Sequence, residues 1–101
     1  MLNKLIELRC QKLELDKKKL FSAISKSFRC VFENNLEWVS INEELNTVVA
    51  TTIDSNSRDN TKLILVGSVL VIPYVRFPEE LQNKRYFFKL LKHLEEVCMH
   101  F

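Results

Sequence analysis

Apolar positions along this chain change their spacing twice. Leu2, Ile6, Cys10, Leu13, Leu20, Ile24, Phe28 and Val31 recur at steps of three, four or seven, which sets them on one face of a helix. The spacing predicts a long amphipathic helix over roughly residues 2–33. Leu5, Leu8 and Leu15 fall off that stripe, so the first half carries apolar groups on more than one side. At 1.5 Å per residue such a helix would extend about 45 Å, more than one small sheet needs for cover. Residues 1–16 are therefore expected to project as an arm that pairs with another helix, in a heptad interrupted at Arg9 and Asp16. The alternative is a break near Lys17 to Lys19, giving two helices on the same core.

Asn34 and Asn35 suit the end of this helix, because Asn tolerates the left-handed conformation found at C-caps. The period then drops toward two. Leu36, Trp38, Val39 and Ile41 read as a short strand, Asn42 to Leu45 as a turn, and Thr47 to Ile53 as a second strand rich in Val and Thr. Asp54 to Thr61 is a wholly polar connection, expected to be a mobile loop. Two apolar runs, LILV and VLVI, flank Gly67 and Ser68. They predict a hairpin in which Gly67 supplies the positive φ of a type II′ turn, with one long strand bulged at Gly67 as the competitor.

Pro73 ends or edges the last strand, and Pro78 suits the first turn of a closing helix. Leu81, Phe87, Phe88, Leu90, Leu91, Leu94, Val97, Cys98 and Phe101 make its wide apolar face. The expected fold is α+β: an N-terminal helix, an antiparallel meander of three or four strands, and a C-terminal helix on the sheet, in the order α-β-β-β(-β)-α.

Composition narrows the class. A chain of 101 residues is one domain, and 47% hydrophobic with 28% charged residues is ordinary globular material. One Gly and two Pro leave nothing to build Gly-rich phosphate loops from. The net charge of +2 is uneven: residues 1–35 hold eight cations against four acids, whereas residues 36–77 hold three against five. Cys10, Cys30 and Cys98 are odd in number and widely spaced, and MLNKLIELRC is a poor secretory leader, so reduced thiols in an intracellular setting, cytoplasmic or nuclear, are expected. The run from Leu63 to Val75 is too short and too interrupted to span a bilayer as a helix.

Candidate chemistry is sparse. His93 and His100 flank Cys98, but a structural metal site wants about four ligands in close pairs, so no metal is expected. Cys10, Cys30 or Ser25 would need a His and an orienting group to act as a nucleophile, and nothing in the spacing marks such an arrangement. No elbow, zinc-helix or phosphate-loop motif is present. The chain is thus expected to be noncatalytic and to need no cofactor or small-molecule substrate.

Lys12, Lys19 and Lys26 recur every seven residues with Arg29 nearby, a basic stripe able to track phosphates or to serve simply as a solvated face. Trp38 and Tyr74 are the amphipathic aromatics best placed to anchor a partner.

The order of a helix with coiled-coil leanings, an antiparallel meander, a proline-bracketed crossing and a closing helix resembles the RWD-type domains of kinetochore and related chromosome-associated dimers. Pro73-Tyr74-Val75-Arg76-Phe77-Pro78 is similar to their Tyr-Pro-x-x-x-Pro turn, with Tyr after the first Pro and the spacing one residue longer. The resemblance implies a dimerisation domain. A comparable order occurs in the small paired RNA-binding subunits of the signal recognition particle.

The leading expectation is a protein–protein interaction or assembly module, self-associating or joined to another subunit through Leu5, Leu8, Leu15, Trp38 and Tyr74. The alternatives are an RNA- or DNA-binding domain using Lys12, Lys19, Lys26 and Arg29, and a small inhibitor of viral or phage type that blocks a host protein.

Overall fold

The computed structural model describes residues 6–11, 16–52, 60–75 and 85–101. Its first helix starts where the Asp16 carboxylate accepts a hydrogen bond from the Lys19 N–H at 3.2 Å, satisfying one of the N–H groups that a helix start leaves open. This helix, α1, runs from Lys17 to Phe32. Leu20, Ile24, Phe28 and Val31, the expected stripe, are buried along it, and Phe21 and Phe32 widen the buried face. The left-handed residue at its end is Glu33 (φ 49°), one position before the expected asparagines. Glu33 to Asn35 then form a single 3-10 turn.

The chain before α1 departs from the expected helix. Ile6–Arg9 is a strand, β1, and it pairs antiparallel with the last strand of the sheet. The reason is legible in the residues themselves, because a step of four satisfies both periods. Ile6 and Cys10 lie on one face of a helix and also on one face of a strand. Leu8, which falls off the helical stripe, completes the two-residue period: Ile6, Leu8 and Cys10 turn to the core, and Glu7 and Arg9 turn away. The helix-pairing arm expected over 1–16 is replaced, over the described residues 6–9, by an edge strand. Leu5 and Leu15 lie outside the described residues.

The meander follows the expected order: β2 (Leu36–Asn42), β3 (Thr47–Thr52), β4 (Asn60–Val66) and β5 (Val69–Val75). With β1 they make a five-stranded antiparallel sheet in the order β1-β5-β4-β3-β2, so the fold is α+β with one strand more than expected. Gly67 and Ser68 join β4 to β5 as a two-residue hairpin, with Gly67 at φ 63° and Ser68 outside the positive-φ set, as a type II′ turn requires. Of the loop expected at Asp54 to Thr61, residues 54–59 lie outside the described residues, and Asn60 and Thr61 belong to β4, paired with Thr51 and Ala50.

The last helix, α2, spans Tyr86–His100. Arg85 precedes it at φ 60°, so no unbroken helix runs into Tyr86 from the expected start at Pro78, which itself lies outside the described residues. Both helices lie on one face of the sheet. Leu20, Phe21, Ile24 and Phe28 of α1 and Leu90 and Leu94 of α2 meet Val48, Leu63, Leu65, Leu70 and Ile72 from the strands in one core. Phe32 stacks on Tyr86 at 5.4 Å between ring centroids, and Asn35 Nδ2 donates to the Tyr86 hydroxyl at 3.1 Å. Tyr86 therefore closes the end of the core, half-buried, with Lys89 Nζ 5.7 Å from its ring centroid.

Candidate protein interface

Among the described residues the helices leave two strand edges and one sheet face uncovered, and the two edges differ in their residues. At one end of the sheet β1 is four residues long and turns Glu7 and Arg9 outward, the short, charged form that discourages strand addition. At the other end β2 is seven residues long, with Glu37 its only charge. The register slips between Leu36 and Trp38, which leaves Trp38 to Asn42 as a regular ladder on β3. Among the described residues the far side of that stretch has no neighbouring strand in the sheet.

Large apolar side chains concentrate on this edge. Trp38 is 49% exposed and lies opposite Thr51, on the sheet face away from the helices. Ile41 lies opposite the fully buried Val48, on the helix-bearing face, yet it is 42% exposed because no strand lies beyond it. Leu45, 67% exposed, projects from the turn that follows. That turn is held firmly. The Asn42 Oδ1 accepts from the Leu45 N–H at 3.1 Å, Asn46 adopts φ 54°, and Lys17 Nζ donates both to the Asn46 Oδ1 at 2.8 Å and to the Glu43 carbonyl at 3.1 Å. A shallow depression lined by Ser40 to Glu44 adjoins it.

The open face continues inward from Trp38. Val49, Ile64, Val69 and Val71 are half-buried and Val66 is 60% exposed. The rows Glu7–Val71–Ile64–Thr47 and Arg9–Val69–Val66 cross it. Lys62 sits between Val49 and Tyr74 in register, among these apolar positions.

Comparison with protein-family models, with curated proteins and with solved structures returns no match. The residues alone carry the functional reading.

The structure separates the residues expected to act together. Leu8 faces the core, half-buried and packed against the buried cluster. Trp38 is exposed at the edge strand, and Tyr74 stands opposite Lys62 in β5. Ile41 and Leu45 join Trp38 in space. They drew no notice in the sequence, although the alternation of β2 marks Ile41 as an inward residue that only a neighbouring strand would cover.

Lys19, Lys26 and Arg29 are exposed along α1 together with Lys18, and Lys12 lies outside the described residues. The helix carries five cations over Lys17–Phe32 and no acid, and α2 with Arg85 adds three cations against two acids. The helical layer is thus the basic side of the molecule. Across it Cys30 Sγ and His93 Nε2 approach to 3.8 Å, with Cys30 exposed. A nucleophile–base pair also needs a third, orienting group, and no hydrogen bond from another described residue reaches this His93 ring. Cys98 is buried against Cys10, away from the exposed His100, and among the described residues no three metal-ligating side chains come together. Among the described residues no helix is long and apolar enough to cross a membrane.

Proposed function

We propose that this chain is a noncatalytic protein–protein association module that pairs through its β2 edge. The observation that supports this reading is the gathering of Trp38, Ile41 and Leu45 on the long, nearly uncharged edge strand, while the opposite edge is short and guarded by charge. Assembly through the first helix, the other route open from the sequence, draws less support, because Leu8 packs toward the core.

A second copy fits this edge. A two-fold axis through Ser40 sets Ile41 opposite Val39 of the second copy on the helix-bearing face and Trp38 opposite Asn42 on the open face, so alternation is preserved across the seam. Another subunit presenting an extended strand would use the same groups. Dimerisation agrees with the resemblance to RWD-type domains, and an intracellular setting agrees with the unpaired thiols. The test is Trp38→Lys combined with Ile41→Lys. Both side chains are already partly exposed, so the fold should survive while association falls at least about tenfold, the effect of two lost anchors. Unchanged association in the folded double variant would refute the edge.

A second reading rests on a separate observation, the acid-free basic face of α1. Lys18, Lys19, Lys26 and Arg29 would track the phosphates of RNA or DNA, with affinity falling steeply as salt rises. Neutralising these four residues should then abolish the salt dependence, and no measurable affinity for either nucleic acid at low salt would end this reading.

A further inference from the structure

The buried sulfurs of Cys10 and Cys98 lie 3.9 Å apart, although 88 positions separate them in the chain. Cys10 directly follows β1 and Cys98 sits in the last turn of α2, and each is nearly inaccessible to solvent. Their main chains meet at the same place. The Cys10 N–H donates to the Ser68 carbonyl at 2.7 Å, and the Gln11 N–H donates to the Cys98 carbonyl at 3.3 Å. The hydrogen bond beside both cysteines holds the two segments together, and the 3.9 Å between the sulfurs shows that the side chains converge, as a disulfide requires.

We propose that Cys10 and Cys98 form a reversible disulfide that fastens the edge strand β1 to helix α2, closing when the chain meets a low-molecular-weight disulfide and opening under excess thiol. The Cys10 thiolate attacks one sulfur of the small disulfide, forming a mixed disulfide and expelling the first small thiolate. The Cys98 thiolate then attacks the Cys10 sulfur, forming the internal bond and expelling the second. Two protein thiols lose two protons and two electrons, and the electrons leave on the two small thiols released.

The order of attack follows from the environment. Burial raises both thiols above their ordinary range, and Cys98 is pushed up to about 12 by burial and by the neighbouring Cys10. Cys10 is relieved in part by its hydrogen bond to Cys98 and ionises first. Neither sulfur is open to the reagent in the closed fold, so the first step waits on fraying of β1, a sheet-edge strand with four paired positions among the described residues. Oxidation is slow for this reason, and the finished bond removes that fraying.

The experiment uses the full chain carrying Cys30→Ser, since the exposed Cys30 would otherwise link chains or retain the small thiol. The protein is brought to equilibrium with oxidised glutathione from two directions, as the native reduced form and by refolding from denaturant. The expected result in both is the loss of two thiols per chain with no retained glutathione, a non-reducing peptide map joining the segments of Cys10 and Cys98, and a midpoint of thermal unfolding raised by about 10 °C that dithiothreitol reverses. With Cys98→Ala added, Cys10 should stop at the mixed disulfide and keep one glutathione. Free thiols, or a separate glutathione on each cysteine, from both directions would overturn the proposal.

Discussion

The ammonium group of Lys17 donates to the side-chain oxygen of Asn46 at 2.8 Å, tying the first residue of α1 to the turn between β2 and β3. Together with the Lys17 bond to the Glu43 carbonyl, this contact ties the turn to the helical layer, and Asn46 also takes the left-handed φ of 54° that lets β3 begin. Its own carbonyl accepts from the Leu65 N–H at 2.8 Å, which carries the link into β4.

Asn46→Ala loses both the hydrogen bond and the tolerance for a positive φ, whereas Asn46→Gly loses only the first. The alanine variant should be destabilised by about 2 kcal/mol and the glycine variant by about 1 kcal/mol or less. Urea unfolding of the two variants beside the parent reads the difference, and equal losses would show that backbone strain plays no part.

Gly67 offers a cleaner case of strain alone. A Cβ built there meets nothing within 4 Å, yet φ is +63°. Gly67→Ala should therefore cost about 1 kcal/mol with no change in packing. A stability equal to the parent's would mean that the β4–β5 turn relaxes to another geometry.

Phe32 and Tyr86 join the two helices. Phe32→Ala, at a side chain 1% exposed, should cost about 3–5 kcal/mol. Tyr86→Phe keeps the stacked ring and removes the acceptor of the Asn35 amide, a loss of about 1 kcal/mol. Similar losses for both would place the energy in the hydrogen bond, against the stacking described here.

The buried thiols make stability fall at high pH. The folded-state values of Cys10 and Cys98 are raised, so in the unfolded chain these thiols ionise near their ordinary value of 9.0 while the folded chain keeps them protonated. The unfolded state binds fewer protons in that range. The stabilisation is fully present below pH 9 and is lost on the way to about 12, the value for Cys98, at no more than about 1.4 kcal/mol per pH unit for each thiol. Unfolding midpoints measured from pH 8 to 11 for the reduced parent and for Cys98→Ala should converge as pH rises. Parallel curves would contradict the burial of Cys98.

The fold was largely readable along the chain, and the reasons it failed in places are specific. Alternation in β2 to β5 and the stripe of Leu20, Ile24, Phe28 and Val31 give elements that the structure contains. The segment Ile6–Arg9 misleads because two apolar residues four apart fit a helix and a strand equally, and only Leu8 between them distinguishes the periods. The fifth strand also depends on pairing with β5, which lies more than sixty residues away, information no local window holds. For the candidate interface, Trp38 was visible as an unusual aromatic on a strand, but the exposure of Ile41 was not. That exposure follows from β2 being the last strand of the sheet, a property of topology.

Association through the β2 edge is tested most directly by the absolute mass of the reduced chain in solution, read by light scattering across a concentration series with and without added RNA or DNA. A dimer or larger species is expected, unchanged by nucleic acid and reduced to a folded monomer by Trp38→Lys with Ile41→Lys. A monomer at every concentration, or one that gains mass only when nucleic acid is present, would contradict it.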